Sequence, residues 1–265
     1  MKGTGRSKTI FKVCVLASGS SGNATLVATE RTRILVDAGL SVRETARRLA
    51  LAGEQIERLD AVIVTHEHCD HIAGVARLVR KHKVPVYTTP ITSLAIDWEN
   101  SKPVIEHFQA GASFTIGDLE IDSFTIPHDA ADPVGFCVKS QGVKFAIATD
   151  LGYVTDSIRY HLRGSALLLL ESNHDLEMLK VGPYPWSVKQ RVMSRVGHLS
   201  NMGACDFIDR DFDGGAASLI LGHLSEQNNH PEIVRLMADQ ALAHRGFRTR
   251  LVVANQKTPT EAFVF

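Results

Sequence analysis

Long apolar runs are missing from this sequence. The greasiest stretch, Ala166 to Leu170, is strand-sized and falls far short of the ~20 residues that a membrane span requires. Cysteine is scarce as well. Cys14, Cys69, Cys137 and Cys205 are scattered with no CxxC spacing, which excludes a disulfide-built scaffold and reads as reduced thiols in a cytoplasmic protein. Neither sign of charge is in excess, with 29 Lys plus Arg against 29 Asp plus Glu. Bulk charge therefore points to no polyanionic partner, and any basic surface has to be local. No low-complexity stretch, short-period repeat or long linker divides the 265 residues, so residues 1–265 read as a single domain. The start carries Lys and Arg ahead of VCVLA, as an exported leader would. Lys12 interrupts the apolar run and SGSSGN follows at once, so this segment reads as a first strand.

What the chain has in plenty is histidine, twelve in all, and their placement depends on the elements around them. Lys12–Leu16 reads as a strand, followed by a hairpin of Ala24–Ala28 and Arg33–Asp37. Ser41–Ala52 reads as a helix with Ser41 as N-cap, Glu44 completing a capping box and Gly53 as stop. Asp60–Val64 and Val84–Thr88 read as strands, Asp70–His82 as a helix between them, and Thr92–Trp98 as a short helix. Two successive hairpins follow, Ser113–Ile116 with Leu119–Phe124 and Val134–Lys139 with Lys144–Ala148. The remainder alternates: helices at Tyr153–Leu162, Trp186–Val196, Ser200–Asp209 and Pro231–His244, and strands at Ala166–Glu171, Ser218–Leu221 and Arg248–Ala254. Each half thus has strands first and then strands alternating with helices. Two β-sheets sandwiched between helices accommodate that order.

The densest chemistry lies in Thr65-His66-Glu67-His68-Cys69-Asp70-His71, between a strand and a helix. His66 and His68 are two apart on an extended segment and project the same way, while Asp70 and His71 open the helix. The loop can offer two imidazoles to one cation and a carboxylate with an imidazole to a second. Four more potential ligands close apolar strands: Asp37 in ILVDAG, His128 in FTIPHD, Asp150 in FAIATD and His223 in LILGH. Singly, each reads as an ordinary cap or turn residue; their recurrence at four strand ends beside the cluster favours a ligand role. A structural zinc site would favour a closed, cysteine-rich set, and no cysteine falls at these positions.

This constellation resembles the metallo-β-lactamase superfamily over nearly the whole chain. The resemblance implies an αβ/βα four-layer sandwich with a dinuclear site at one edge of the sheets. It implies that His66, His68 and His128 bind one metal, that Asp70, His71 and His223 bind the other, and that Asp150 bridges them. Asp37 would support the ligands from behind. The cofactors would be two divalent ions, zinc, manganese or iron, holding a hydroxide between them and clamping the attacking and leaving oxygens. Asp70 would also accept the water's proton.

Asp150 stands where the best-known β-lactamases of this kind carry Cys, which argues against lactam hydrolysis. The segments SGSSGN, GHLSN and GHLSEQNN, together with ESNHDLEMLK and GPYPWSVKQRV, are similar to the YycJ (WalJ)-like branch, which is related to RNase Z and RNase J and associated with 5′-to-3′ exonuclease activity on DNA. The inserted domain of the larger RNA-processing relatives is absent between Asp150 and His223. The reading is therefore a phosphodiesterase acting on nucleic-acid ends or on a small phosphodiester, with no membrane partner. A thioester or other small-molecule hydrolase on the same scaffold is the alternative, and a metal-stabilised binding protein without turnover is a third possibility. Ser18, Ser20 and Asn23 could hold a phosphate; a tight Gly-Ser turn explains them equally well. His198, ahead of the helix capped by Ser200, is the candidate general acid. His174, Ser200, Ser225 and Asn228 are candidate pocket residues. Lys180, Lys189, Arg191 and Arg195 bracket Tyr184 and Trp186, a pattern that suits single-stranded nucleic acid; a solvated helix face with the aromatics in the core suits the same residues better.

Overall fold

The computed structural model describes residues 10–265. The charged start of the leader-like segment lies outside the described residues; Lys12 onward is a strand. The first half of the chain contributes β1 (Lys12–Ala17), β2 (Ala24–Ala28), β3 (Arg33–Val36), α1 (Val42–Leu51), β4 (Ala61–Ile63), α2 (Cys69–Ile72), α3 (Val75–His82), β5 (Val86–Thr88), α4 (Pro90–Ala95) and β6 (Ile105–His107). Next come β7 (Ser113–Ile116), β8 (Leu119–Thr125), β9 (Val134–Ser140), β10 (Val143–Ala148), α5 (Asp156–Leu162) and β11 (Leu167–Glu171). The chain continues through α6 (Leu176–Val181), α7 (Trp186–Val192), α8 (Asn201–Arg210), β12 (Ser218–Gly222), α9 (Pro231–His244), β13 (Arg250–Val253) and β14 (Phe263–Val264).

These strands form two seven-stranded sheets, ordered β14-β1-β2-β3-β4-β5-β6 and β13-β12-β11-β10-β9-β8-β7. Each runs antiparallel through its hairpins and switches to parallel pairing, the first at β3 and the second at β10. Period-2 alternation separates three cores. Val13, Val15, Ile34, Ile63, Phe136, Phe145 and Leu169 fill the space between the sheets. Cys14, Leu16, Leu35 and Val62 face outward onto Leu49 of α1 and Leu78 of α3. Ala146, Leu168, Leu170 and Leu219 face outward onto Ile158 of α5, Phe207 of α8 and Ala238 of α9. The result is the αβ/βα four-layer sandwich, and no helix among the described residues is long and apolar enough to cross a membrane.

Several elements depart from the sequence reading. The expected Asp70–His82 helix is two helices, broken before Val75. At the break the Gly74 N–H donates to the Ala38 carbonyl at 2.8 Å, and a Cβ on Gly74 would lie 2.0 Å from the Leu40 carbonyl. The close approach of the loop after β3 thus sets the break, and helical periodicity carries no trace of it. Ser41 caps α1 by accepting from the Glu44 N–H, but the Glu44 carboxylate pairs with Arg47 and Arg48, so the reciprocal half of the box is not made. The helix expected at Trp186–Val196 stops at Val192. The edge strands β6 and β14 and helix α6, of three, two and six residues, are too short to show as periodic.

Candidate metal centre

The ends of β3, β4, β8, β10, β11 and β12 supply the segments that meet here. Asp37 directly after β3, Asp150 two residues after β10 and His223 directly after β12 all have left-handed backbones, with φ of 61°, 60° and 56°. Such conformations cost roughly 1–3 kcal/mol each for non-glycine residues. Local bonds hold them there: the Asp37 N–H donates to the Ile63 carbonyl at 2.9 Å, and the His223 N–H donates to Ser18 Oγ at 2.8 Å.

Three groups of donor atoms result, two of them adjoining and a third, Asp150, Glu171, His198 and His223, overlapping the second. His66, His68 and His128 offer ligand atoms that lie within 4.8 Å of one another, and so do Asp70, His71, Asp150 and His223. Asp150 Oδ2 lies 3.3 Å from His71 Nε2, and Oδ1 lies 3.9 Å from His128 Nε2, so one carboxylate faces both sets. His66 Nε2 and Asp150 Oδ2 are buried with no hydrogen-bond partner. Buried orphans of this kind are costly in a protein interior, and a divalent cation satisfies both.

Several outer ring nitrogens are already engaged, which orients the rings and turns the inner nitrogens toward one another. His71 Nδ1 lies 2.8 Å from Asp37 Oδ2. His66 Nδ1 lies 3.0 Å from Thr65 Oγ1, and Thr65 donates to Asp37 through both its N–H and its hydroxyl. His128 Nδ1 donates to the Gly197 carbonyl at 3.2 Å, and His223 Nδ1 lies 2.9 Å from Glu171 Oε1.

The electrostatics differ between the sets. Burial, together with neighbouring imidazoles, pushes His66 well below the ordinary histidine range, and burial pushes His128 down as well. Both present neutral nitrogens. In the second set burial opposes charge on His71 and His223, but the carboxylates around them prevail; His71 is raised, and His223 is pushed up to about 10. Asp70, despite burial, is held well below the carboxylate range by hydrogen bonds from His223 and His71. A carboxylate so held is ionised, as a metal ligand has to be.

Glu171 escaped the sequence reading. It is fully buried at the last position of β11. Oε1 also accepts from His198 Nδ1 at 2.8 Å, and Oε2 accepts from the Leu151 and Leu199 N–H groups. The available signal was a lone carboxylate closing the apolar strand LLLLE, the same strand-end pattern that exposed Asp37 and Asp150. His198 itself lies beside the cluster, its ring centroid 5.1 Å from His128 and 5.4 Å from His223. Burial lowers its affinity for a proton, and the Glu171 carboxylate overcomes that and raises it.

The candidate phosphate and pocket residues fall into two groups. Ser20 is exposed on the loop, and His174 is buried beside His198 at the wall of a cavity. The others turn polar atoms inside the protein, where Asn228 Oδ1 alone among them has no partner. Ser18 holds the His223 backbone. Asn23 Nδ2 donates to Asp70 Oδ2 at 3.0 Å, and its Oδ1 accepts from the Gly19 N–H. Ser200 caps α8, Ser225 accepts from the Asn228 N–H, and Asn228 is fully buried. The basic stretch also differs from expectation. Trp186 is 63% exposed and not in the core. The Lys189 ammonium is buried on the Lys180 carbonyl, Lys180 pairs with Glu177 and Arg191 with Asp129, and the Arg195 guanidinium covers the Tyr153 ring.

Residues 32–224 match the model of the beta-lactamase superfamily domain, a span that contains every candidate ligand. Among curated proteins, the chain is 39% identical over 241 residues to the exodeoxyribonuclease YycJ of Bacillus anthracis, covering 88% of this chain and 89% of that one. It is likewise 39% identical over 240 residues to the exodeoxyribonuclease WalJ of Streptococcus pneumoniae, covering 88% of each. Among solved structures, the metallo-β-lactamase fold protein YhfI from Bacillus subtilis superposes with a TM-score of 0.74 at 21% identity, over 97% of this chain and 100% of that one.

Proposed function

The chain belongs to the metallo-β-lactamase superfamily, in the branch of YycJ and WalJ, and on that premise we propose that it is a metal-dependent phosphodiesterase that removes nucleotides from DNA ends in the 5′-to-3′ direction. The observation that carries the reading is Asp150, one carboxylate facing two adjoining sets of imidazole and carboxylate donors. His66, His68 and His128 would hold one divalent ion, Asp70, His71 and His223 the second, with Asp150 between them. Zinc, manganese and iron all suit such donors. When bound, the pair supplies Lewis acidity that acidifies a water and neutralises phosphate oxygens.

The rest is the work of the chain itself. Cleavage of a phosphodiester expels an alkoxide, which needs a proton. His198 is anchored through Nδ1 on Glu171, so Nε2 is the nitrogen left to hold and deliver that proton. The Glu171 carboxylate raises its affinity for a proton against the effect of burial, the direction that suits a general acid. Glu171 acts through His198 and His223 and is a positioning residue. A cytoplasmic location and a single domain fit four cysteines with no disulfide.

The test is a metal-screened assay on 5′-phosphorylated and 5′-hydroxyl DNA and RNA oligonucleotides, run beside S-lactoylglutathione. Mononucleotides released from DNA 5′ ends support the reading. Thioester hydrolysis without nucleic-acid cleavage overturns it in favour of the small-molecule hydrolase.

A further inference from the structure

A cavity of about 340 Å3 opens beside His198, walled by the loop after Asp150, by α8 and by the ends of α6 and α7. Its volume lies within the ~300–1,000 Å3 typical of small-molecule sites. Two features define what it can accept. Each of its guanidinium groups has a carboxylate beside it: Arg159 Nε donates to Asp211 Oδ2 at 2.8 Å, and the largely exposed Arg210 lies 3.9 Å from Asp206. The wall between them is apolar, from Val154, Leu199 and Phe207. At its edge sits His174, 1% exposed, whose Nδ1 has no hydrogen-bond partner. An orphaned buried imidazole nitrogen beside an apolar wall asks for one hydrogen bond from a mostly uncharged ligand.

We propose that this cavity takes the nucleoside of the terminal nucleotide, sugar and base rather than phosphate, with His174 hydrogen-bonded to it. The inference rests on the phosphodiesterase reading. In the step it serves, water loses a proton to solvent as its oxygen bonds to phosphorus, the P–O3′ bond breaks, O3′ leaves with the His198 proton, and solvent returns a proton to His198. The group on the His198 side is then the 5′-terminal nucleoside. A cavity of this size admits one nucleoside, so one nucleotide leaves per cleavage. Burial also pushes His174 down to about 4, so its ring is neutral at working pH and suits a base or hydroxyl better than a phosphate.

The test is an NMR titration of zinc-reconstituted protein carrying nitrogen-labelled histidine, with thymidine, deoxyadenosine and inorganic phosphate as probes. Saturable movement of the His174 ring signal by the nucleosides is the expected result. His174→Phe should weaken nucleoside binding about tenfold, the loss of one hydrogen bond. Met193→Trp, which narrows the mouth at a residue 37% exposed, should do so by a similar factor without relying on a buried substitution. A His174 signal moved by phosphate and not by nucleosides, or moved by neither, overturns the proposal. Hydrolysis of bis-p-nitrophenyl phosphate by the wild type separates the two readings. Cleavage without nucleoside binding removes only this inference, and nucleoside binding without cleavage removes only the phosphodiesterase reading.

Discussion

The two sheets repeat one strand order but use its ends differently. Asp37 follows β3 and Asp150 lies two residues after β10, and each of those strands is where its sheet switches from antiparallel to parallel pairing. Both aspartates take the same left-handed backbone. Asp37 nevertheless turns onto Thr65 and His71 Nδ1, one bond behind the donors, whereas Asp150 keeps a bare oxygen among them. The next strands diverge in the same way. The loop after β4 carries His66, His68, Asp70 and His71 directly into the cluster, while β11 ends on Glu171, which holds His198 and His223 from behind. Equivalent positions in the topology therefore fix where a side chain starts, and the residue and its partners decide whether it touches the reacting centre or supports one that does.

Substitution at paired positions tests this division, and the largest effect belongs to the bare carboxylate. Asp150→Ala should abolish hydrolysis and lower the metal content from about two ions per chain, with the fold retained by circular dichroism; two ions bound and activity intact would erase the distinction from Asp37. Chelation should likewise silence the wild type, with recovery on adding manganese or zinc.

His198→Ala should lower DNA cleavage by ~10²–10⁴-fold with metal content unchanged. A p-nitrophenyl ester, whose leaving group needs no proton, should lose much less. Equal losses on both substrates would make His198 a phosphate ligand.

The supporting carboxylates come next. Asp37→Asn and Glu171→Gln should each cost about 10–100-fold in metal affinity or activity. Glu171→Gln should cost less on top of His198→Ala than it does alone, because only its hold on His223 then remains to be lost, which a double-mutant cycle measures. Full additivity would detach Glu171 from His198.

The smallest effect concerns the first sheet alone. Glu54 accepts from Lys12 and Arg33; burial raises its proton affinity, but these hydrogen bonds prevail and lower it. Its contribution is therefore present above the unfolded carboxylate range near pH ~4.3 and is lost as pH falls through the lower folded value. Glu54→Gln should cost about 1–2 kcal/mol at pH 7, and the gap to wild type in denaturant melts should close with acidification while hydrolysis at pH 7 persists.

Much of the centre was legible because its information is local. HxHxDH needs only a strand-to-helix junction, and Asp37, His128, Asp150 and His223 are polar residues ending apolar strands, so alternation and composition alone expose them. Hairpins, caps and the two-sheet order follow from the same short-range periodicities. Tertiary structure decided what each polar atom is used for. Ser18 and Asn23 form a loop that composition offers to a phosphate, yet their partners are His223, over two hundred residues away, and Asp70. Glu171 became a positioning residue only when the segments bearing His198 and His223 were folded against it. Gly74 broke a periodic helix because the backbone after β3 passes too close for a side chain, and Trp186 lies in solvent because no element packs over it. A side chain's type and spacing are properties of the chain, but a hydrogen bond belongs to two groups, and their distance in space is set only when the sheets close on each other.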